Sequence, residues 1–189
     1  MKKITCIAIV LSASASFAAH AEGAYFGANI GSAEIKSSVD GFASSNRDTG
    51  GKIYGGAQLT APFGVELGYV NFGRSDKNFN DGVTAASVTV KPSAVYLAAT
   101  ATAPINDQFS VFGKLGITEN RAKINATLNG VSNSGTRNRT DAMIGVGAAY
   151  AITTQVSAVV EYENFGKLAK DDGVNIKGDL FSVGLRYKF

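Results

Sequence analysis

The last nine residues place Phe181, Val183, Leu185, Tyr187 and Phe189 at every second position, with Ser182, Gly184, Arg186 and Lys188 between them. A period of two sends successive side chains to opposite faces of an extended strand, so this segment has one apolar and one polar face. The alternation recurs along the chain, and residues 23–35, 52–60, 64–73, 89–103, 109–119, 141–151, 155–165 and 179–189 all read as strands. About ten tilted residues at roughly 3.3 Å each match the ~25 Å apolar band of an outer membrane. No apolar run approaches the ~18 residues of a spanning helix. A chain patterned in this way folds as an antiparallel barrel or sandwich.

The first residues indicate the compartment and limit the chemistry. Lys2 and Lys3 precede an apolar stretch, and Ala19-His20-Ala21 forms a small-residue cleavage pattern. This predicts a signal peptide over residues 1–21 and a single domain over residues 22–189. The only cysteine, Cys6, and the only histidine, His20, fall in the signal segment. The domain is then left without thiol, disulfide or imidazole, which removes His-based metal sites and Ser-His or Cys-His nucleophiles. Asp171-Asp172 reads as a solvated turn, and Glu163 as a rim residue. No enzyme activity, cofactor or metal is expected. Without Lys2 and Lys3 the domain holds 16 basic and 15 acidic side chains, so nothing points to nucleic acid.

The connections alternate in length. Residues 60–63, 103–108 and 151–154 are short turns, whereas 36–51, 74–88, 120–140 and 166–178 are long and polar. That rhythm is the up-and-down meander of a membrane barrel, with tight periplasmic turns and longer external loops. An even strand number lets the last strand pair with the first and removes the sheet edges. The apolar phase runs through Phe26, Ile30, Ile53, Val65, Leu67, Val95, Leu97, Leu115, Ile144, Val146 and Val160 to the terminal five. The opposite phase holds Glu66, Lys114, Glu161, Arg186 and Lys188 among small and polar residues. Five charges over eight strands are too few for a solvated coat but suit a narrow interior. The expected fold is therefore all-β: an eight-stranded antiparallel up-and-down transmembrane β-barrel, apolar face to lipid and charges in the lumen.

Two uses follow for the lumen charges. They fill and register the interior, or they line a selectivity or proton path. Eight strands enclose barely enough space for their own side chains, which favours filling. Glu161 and Arg186 are placed to pair on neighbouring strands, and Glu66 to reach Lys114 across the lumen. Phe26, Phe63, Phe109, Tyr150, Tyr187 and Phe189 are expected in a periplasmic aromatic girdle, and Tyr69, Phe72, Tyr162, Phe165 and Phe181 in an external one. Arg121, Lys123, Arg137 and Arg139 in the third long connection are suited to lipopolysaccharide phosphates, or are plain solvated charges.

Three stretches carry a family resemblance: "GGAQLTAPFGVELGYVNFGR" (55–74), "AVYLAATATAPINDQFSVFGKLG" (94–116) and "GVGAAYAITTQVSAVVEYENF" (145–165), followed by the terminal "LFSVGLRYKF". Together they resemble the eight-stranded transmembrane domain of the outer-membrane protein A family. The resemblance implies a location in the bacterial outer membrane, with lipid, lipopolysaccharide and the barrel-insertion machinery as partners. It implies that Leu185, Tyr187 and Phe189 form the terminal signal that this machinery reads. Many family members carry a peptidoglycan-binding domain after the barrel, and here the barrel is expected without it. The family's opposite charges inside the tube match Glu66 and Lys114, while Thr100, Ala149 and Val159 stand where further charges would be. The expected role is structural or surface-interacting and is carried by the external loops, with no surface or host ligand specified. A narrow porin-like channel for small solutes is the alternative, and adhesion a further one.

Overall fold

The computed structural model describes residues 23–39, 42–80, 85–128, 131–171 and 174–189. The predicted signal segment and Asp172 of the predicted Asp171-Asp172 turn lie outside them. The strands are β1 (Ala24–Val39), β2 (Phe42–Thr60), β3 (Phe63–Asn71), β4 (Ser75–Asn80), β5 (Ala85–Pro104), β6 (Phe109–Leu128), β7 (Val131–Ala151), β8 (Val156–Asp171) and β9 (Val174–Lys188). All pair antiparallel in the order β3-β2-β1-β9-β8-β7-β6-β5-β4, and a β3–β5 ladder from Phe63↔Ala101 to Asn71↔Ser93 closes the ring. β3 and β4 are two pieces of one stave, interrupted at residues 72–74, so the barrel is eight-stranded.

The period-two pattern becomes two surfaces. Ile30, Ile53, Leu67, Leu97, Leu115, Ile144, Val183 and Leu185 face outward and are each more than half exposed. Their register neighbours are also apolar, as in Leu67↔Leu97↔Ile117 and Ala28↔Leu185. A continuous apolar outer wall of this size is unstable against water and suited to acyl chains. The residues between them point inward and are packed. Glycines make room for large rings: a Cβ on Gly27 would lie 2.3 Å from the Tyr54 ring, and one on Gly68 would lie 2.5 Å from that of Tyr96.

Among the described residues of 36–51, 74–88, 120–140 and 166–178 the chain is mostly paired strand rather than loop, which corrects the expectation for them. β1–β2 pairing continues to Val39↔Phe42, β6–β7 to Leu128↔Val131 and β8–β9 to Asp171↔Val174. Above the bilayer both faces meet water, so the chain keeps its backbone ladder but loses the apolar alternation that marks a strand. The ring also opens there. The β2–β3 ladder ends at Gly51↔Asn71, and the β7–β8 ladder ends at Ile144↔Asn164. Among the described residues the outer part therefore divides into two four-stranded sheets, β2-β1-β9-β8 and β7-β6-β5-β4.

Candidate functional site

At mid-height the lumen holds a compact ionic cluster. Lys52, Glu66, Lys114, Glu161 and Glu163 are each at most 3% exposed. They enter from β2, β3, β6 and β8, each in the inward phase of its strand. Lys114 Nζ donates to Glu66 Oε1 at 2.6 Å, Glu161 Oε1 at 2.9 Å and Glu163 Oε1 at 3.3 Å. Lys52 Nζ donates to both oxygens of Glu163 at 2.8 Å and also pairs with Glu161. Arg186 on β9 approaches Glu161 at 3.5 Å and Glu66 at 3.9 Å. Three carboxylates thus meet three cations, and the group is neutral as a whole.

Neutral hydrogen-bonding groups complete the coordination. The hydroxyls of Tyr25 and Tyr96 donate to Glu66 at 3.0 and 2.6 Å, and Asn29 Nδ2 donates to Glu161 at 3.1 Å. Aromatic rings fill the remaining space. Lys52 Nζ lies 4.5 Å from the Tyr54 ring centre, and the Arg186 guanidinium lies 4.5 Å from that of Tyr25 and 4.8 Å from that of Phe112. Buried charges are tolerable only when paired and hydrogen-bonded in this way.

An apolar layer lies on the external side of the cluster. Phe72 and Phe165 are fully buried, with ring centres 5.3 Å apart at 83°, and Tyr96 packs on Phe165 at 5.8 Å. Val70, Met143, Leu168 and Leu180 surround them. The expectation of Phe72 and Phe165 in the external girdle is thereby corrected. Phe72 has the parity of Val70 rather than that of Tyr69, and Phe165 that of Glu163 rather than that of Tyr162. Tyr69, Tyr162 and Phe181 do face outward. A groove of about 610 Å3 lies along the outer wall beside Ala101, Val111, Val146 and Val160. At the level of Glu66 the bore is occupied by the buried side chains of Lys52, Tyr54, Tyr96, Lys114 and Glu161, each at most 3% exposed.

The structure brings Glu66, Lys114, Glu161 and Arg186 together. Lys188 keeps the inward phase of its strand, directly opposite Tyr25, but is exposed at the terminal rim and stands outside the cluster. Glu163 belongs to the cluster and not to the rim. Lys52, which sequence reasoning passed over as the first residue of its predicted strand, is a second central cation. Its inward parity with Tyr54 was the signal available. Leu185, Tyr187 and Phe189 face outward, and Phe189 N donates to Ala24 O at 3.0 Å across the closing seam.

The predicted anion-binding residues divide between two faces. Arg121 and Lys123 share the outward phase of Leu115 and Ile117 on β6. Lys91 on β5 is directly opposite Lys123 and has the same phase as Val95. Arg137 and Arg139 on β7 pair with Ala122 and Asn120, which are buried, and so lie on the opposite face. Arg139 Nε is 3.5 Å from Asp141.

Among the described residues no group of three potential metal ligands forms. A family model described as "Outer membrane protein beta-barrel domain" matches residues 4–189. Among solved structures, Ail, the attachment invasion locus protein of Yersinia pestis, aligns with a TM-score of 0.58 at 20% identity, covering 88% of this chain and 99% of that one. Neisserial surface protein A aligns with a TM-score of 0.57 at 20% identity, covering 88% and 97%. The Escherichia coli outer-membrane protease OmpT aligns with a TM-score of 0.51 at 11% identity, covering 90% and 98%. At these identities the likeness is one of fold. These matches point to the general small-barrel family rather than to outer-membrane protein A in particular. No curated protein matches the chain in sequence.

Proposed function

Because this chain belongs to the outer membrane protein β-barrel domain family and resides in the bacterial outer membrane, we propose that it is a non-enzymatic surface protein whose protruding sheets bind polyanionic sugars. The observation that carries this reading is the cationic row on the outer face of β5 and β6. Lys91 and Lys123 sit directly opposite each other, with Arg121 two residues nearer the membrane on the same face. Like charges facing across a ladder are unfavourable on their own and become favourable around a shared anion. The row stands above the apolar band that ends at Val95 and Ile117, near the depth of headgroup phosphates, with one acidic residue of the same face, Glu119 opposite Val95, between Ile117 and Arg121.

Two sources supply that chemistry: lipopolysaccharide phosphates of the same leaflet, and sulfated or phosphorylated glycans on a facing surface. The second source makes the protein an adhesin. The relative Ail is known in complex with the heparin analogue sucrose octasulfate, which is in line with this class of ligand. Arg137 and Arg139 belong to the opposite face of the same hairpin and would contribute less. A porin-like role is disfavoured by the filled bore. We further assign Leu185, Tyr187 and Phe189 as the segment read by the insertion machinery, since the last strand presents them outward before it closes on β1. The narrower kinship with outer-membrane protein A rests only on the sequence stretches that suggested it and adds no role.

The test compares wild type with the K91Q/R121Q/K123Q variant, both refolded into phosphatidylcholine nanodiscs and passed over immobilised heparin and immobilised lipopolysaccharide. Salt-sensitive retention that falls at least tenfold in the variant supports the reading. Retention on lipopolysaccharide alone assigns the row to the protein's own leaflet, and retention on heparin alone assigns it to a facing surface. Failure to bind either polyanion, or equal binding by the variant, rejects it.

A further inference from the structure

Two hairpins on opposite sides of the barrel carry one local device twice. In the β2–β3 hairpin, Asn71 Oδ1 accepts from Gly73 N at 2.9 Å, and Asp48 Oδ2 accepts from Arg74 N at 2.6 Å. In the β7–β8 hairpin, Asn164 Oδ1 accepts from Gly166 N at 3.0 Å, and Asp141 Oδ2 accepts from Lys167 N at 2.9 Å. The other aspartate oxygen accepts from the next amide in each case, Thr49 N at 2.7 Å and Ala142 N at 2.9 Å. The carboxylate and the amide it holds are 26 residues apart in both hairpins. Both glycines have positive φ, +84° and +62°, as the turn requires. A Cβ on Gly73 would lie 2.7 Å from Asp48 Cγ, and one on Gly166 would lie 2.8 Å from Asp141 Cγ. The segments read Asn-Phe-Gly-Arg and Asn-Phe-Gly-Lys.

The position of the two copies gives them a shared task. Each sits where its ladder ends and the barrel wall begins to divide, at Gly51↔Asn71 and Ile144↔Asn164. Each aspartate therefore bridges the two protruding sheets where ladder pairing stops. The phenylalanine of each motif, Phe72 or Phe165, points inward, and the two rings meet edge-to-face over the lumen. The segment carrying Phe165 is held over the bore by Asn120 Nδ2, which donates to Phe165 O at 3.0 Å and Lys167 O at 3.2 Å. Phe72 N donates to Pro92 O at 3.1 Å.

We propose that Asp48 and Asp141 are paired pins that hold the Phe72–Phe165 lid shut over the lumen and couple the two external sheets, so that the lid opens fully only when both pins release. Each pin is a charge-assisted bond to a backbone amide, among the stronger single contacts available to a sheet with no ladder at that point. The rings touch each other across the bore, so either intact pin keeps one half of the lid in place for the other half to pack against.

Met143 is the built-in reporter. It is 1% exposed, packs in the apolar layer under the lid, and is the only methionine besides Met1. The experiment measures peroxide oxidation of Met143 and amide exchange at Arg74 and Lys167 in D48A, D141A and D48A/D141A, with heat-modifiable gel mobility verifying a closed barrel. Each single variant is expected to speed exchange mainly at its own amide, with Met143 oxidation rising less than threefold. The double variant should raise Met143 oxidation at least tenfold, beyond the product of the singles. A double variant that keeps Met143 as protected as wild type, or that shows the product of the two single effects, overturns the proposal. If D141A disturbs Met143 through its sequence proximity, F72A/F165A decides: removing the rings with both pins intact must expose Met143, and protection there also rejects the lid.

Discussion

Lys114→Met tests the lumen cluster most directly. Lys114 is the nearest cation to Glu66, at 2.6 Å, and also contacts Glu161 and Glu163. Glu161 and Glu163 keep Lys52 when it is gone. Glu66 keeps only Arg186 at 3.9 Å and the hydroxyls of Tyr25 and Tyr96. The loss therefore concentrates on one fully buried carboxylate. Removing one partner of a buried pair costs about 3–5 kcal/mol, because the other charge is left uncompensated. Adding Glu66→Gln restores neutrality to the cluster and keeps an acceptor for the two tyrosines. The double variant K114M/E66Q should then be more stable than K114M by about 1.5–3 kcal/mol. The chain has no tryptophan, so the folded fraction is best followed by unboiled gel mobility across a urea series in lipid vesicles. A K114M midpoint equal to wild type would refute the reasoning, as would a double variant showing the plain sum of the single losses.

Leu97 is 53% exposed between Leu67 and Ile117 on the lipid wall, so Leu97→Arg should cost ~2–4 kcal/mol in vesicles by the same urea series. Gly184→Ala should cost ~1–3 kcal/mol and lower the yield of folded band, since its Cβ would lie 2.1 Å from the backbone oxygen of Ala28 across the closing β1–β9 seam. Asp141 gives a pH dependence. Partial burial pushes its carboxyl up, but the amides of Lys167 and Ala142 and the nearby Arg139 outweigh this and hold it below the usual carboxylate range. A carboxyl depressed in the folded state stabilises above its ordinary pKa, and that contribution fades as pH falls through the folded value. Amide exchange at Lys167, corrected for intrinsic rate, should therefore stay slow at neutral pH, accelerate progressively as pH falls through the ordinary carboxylate range, and level off below the depressed folded value. Acceleration already near pH 6 would contradict it.

Much of the barrel was legible because lipid-facing strands obey a strict period. Phe181 to Phe189, Val65 to Tyr69 and Val95 to Ala99 each report their face by alternation alone, the number of alternating segments gives the stave count, and the rhythm of connections gives the up-and-down order. The external hairpins were not legible, because residues such as Arg121, Asn138 and Thr136 are polar on both faces once water replaces lipid. Phe72 and Phe165 were assigned to a girdle by residue type, although their parity with Val70 and Glu163 placed them inside. Lys52 was lost at a predicted strand end that the structure extends by ten residues, back to Phe42.

The sequence by itself determined the barrel, its membrane-facing side and the inward phase of Glu66, Lys114, Glu161 and Arg186, because covalent geometry alternates side chains along any extended chain. Only the tertiary structure decided which charges meet, that Glu163 and Lys52 join them, and that two distant Asn-Phe-Gly segments face each other over one lumen. Those facts depend on register and closure around the ring, which couple residues far apart in the chain and leave no local pattern to read.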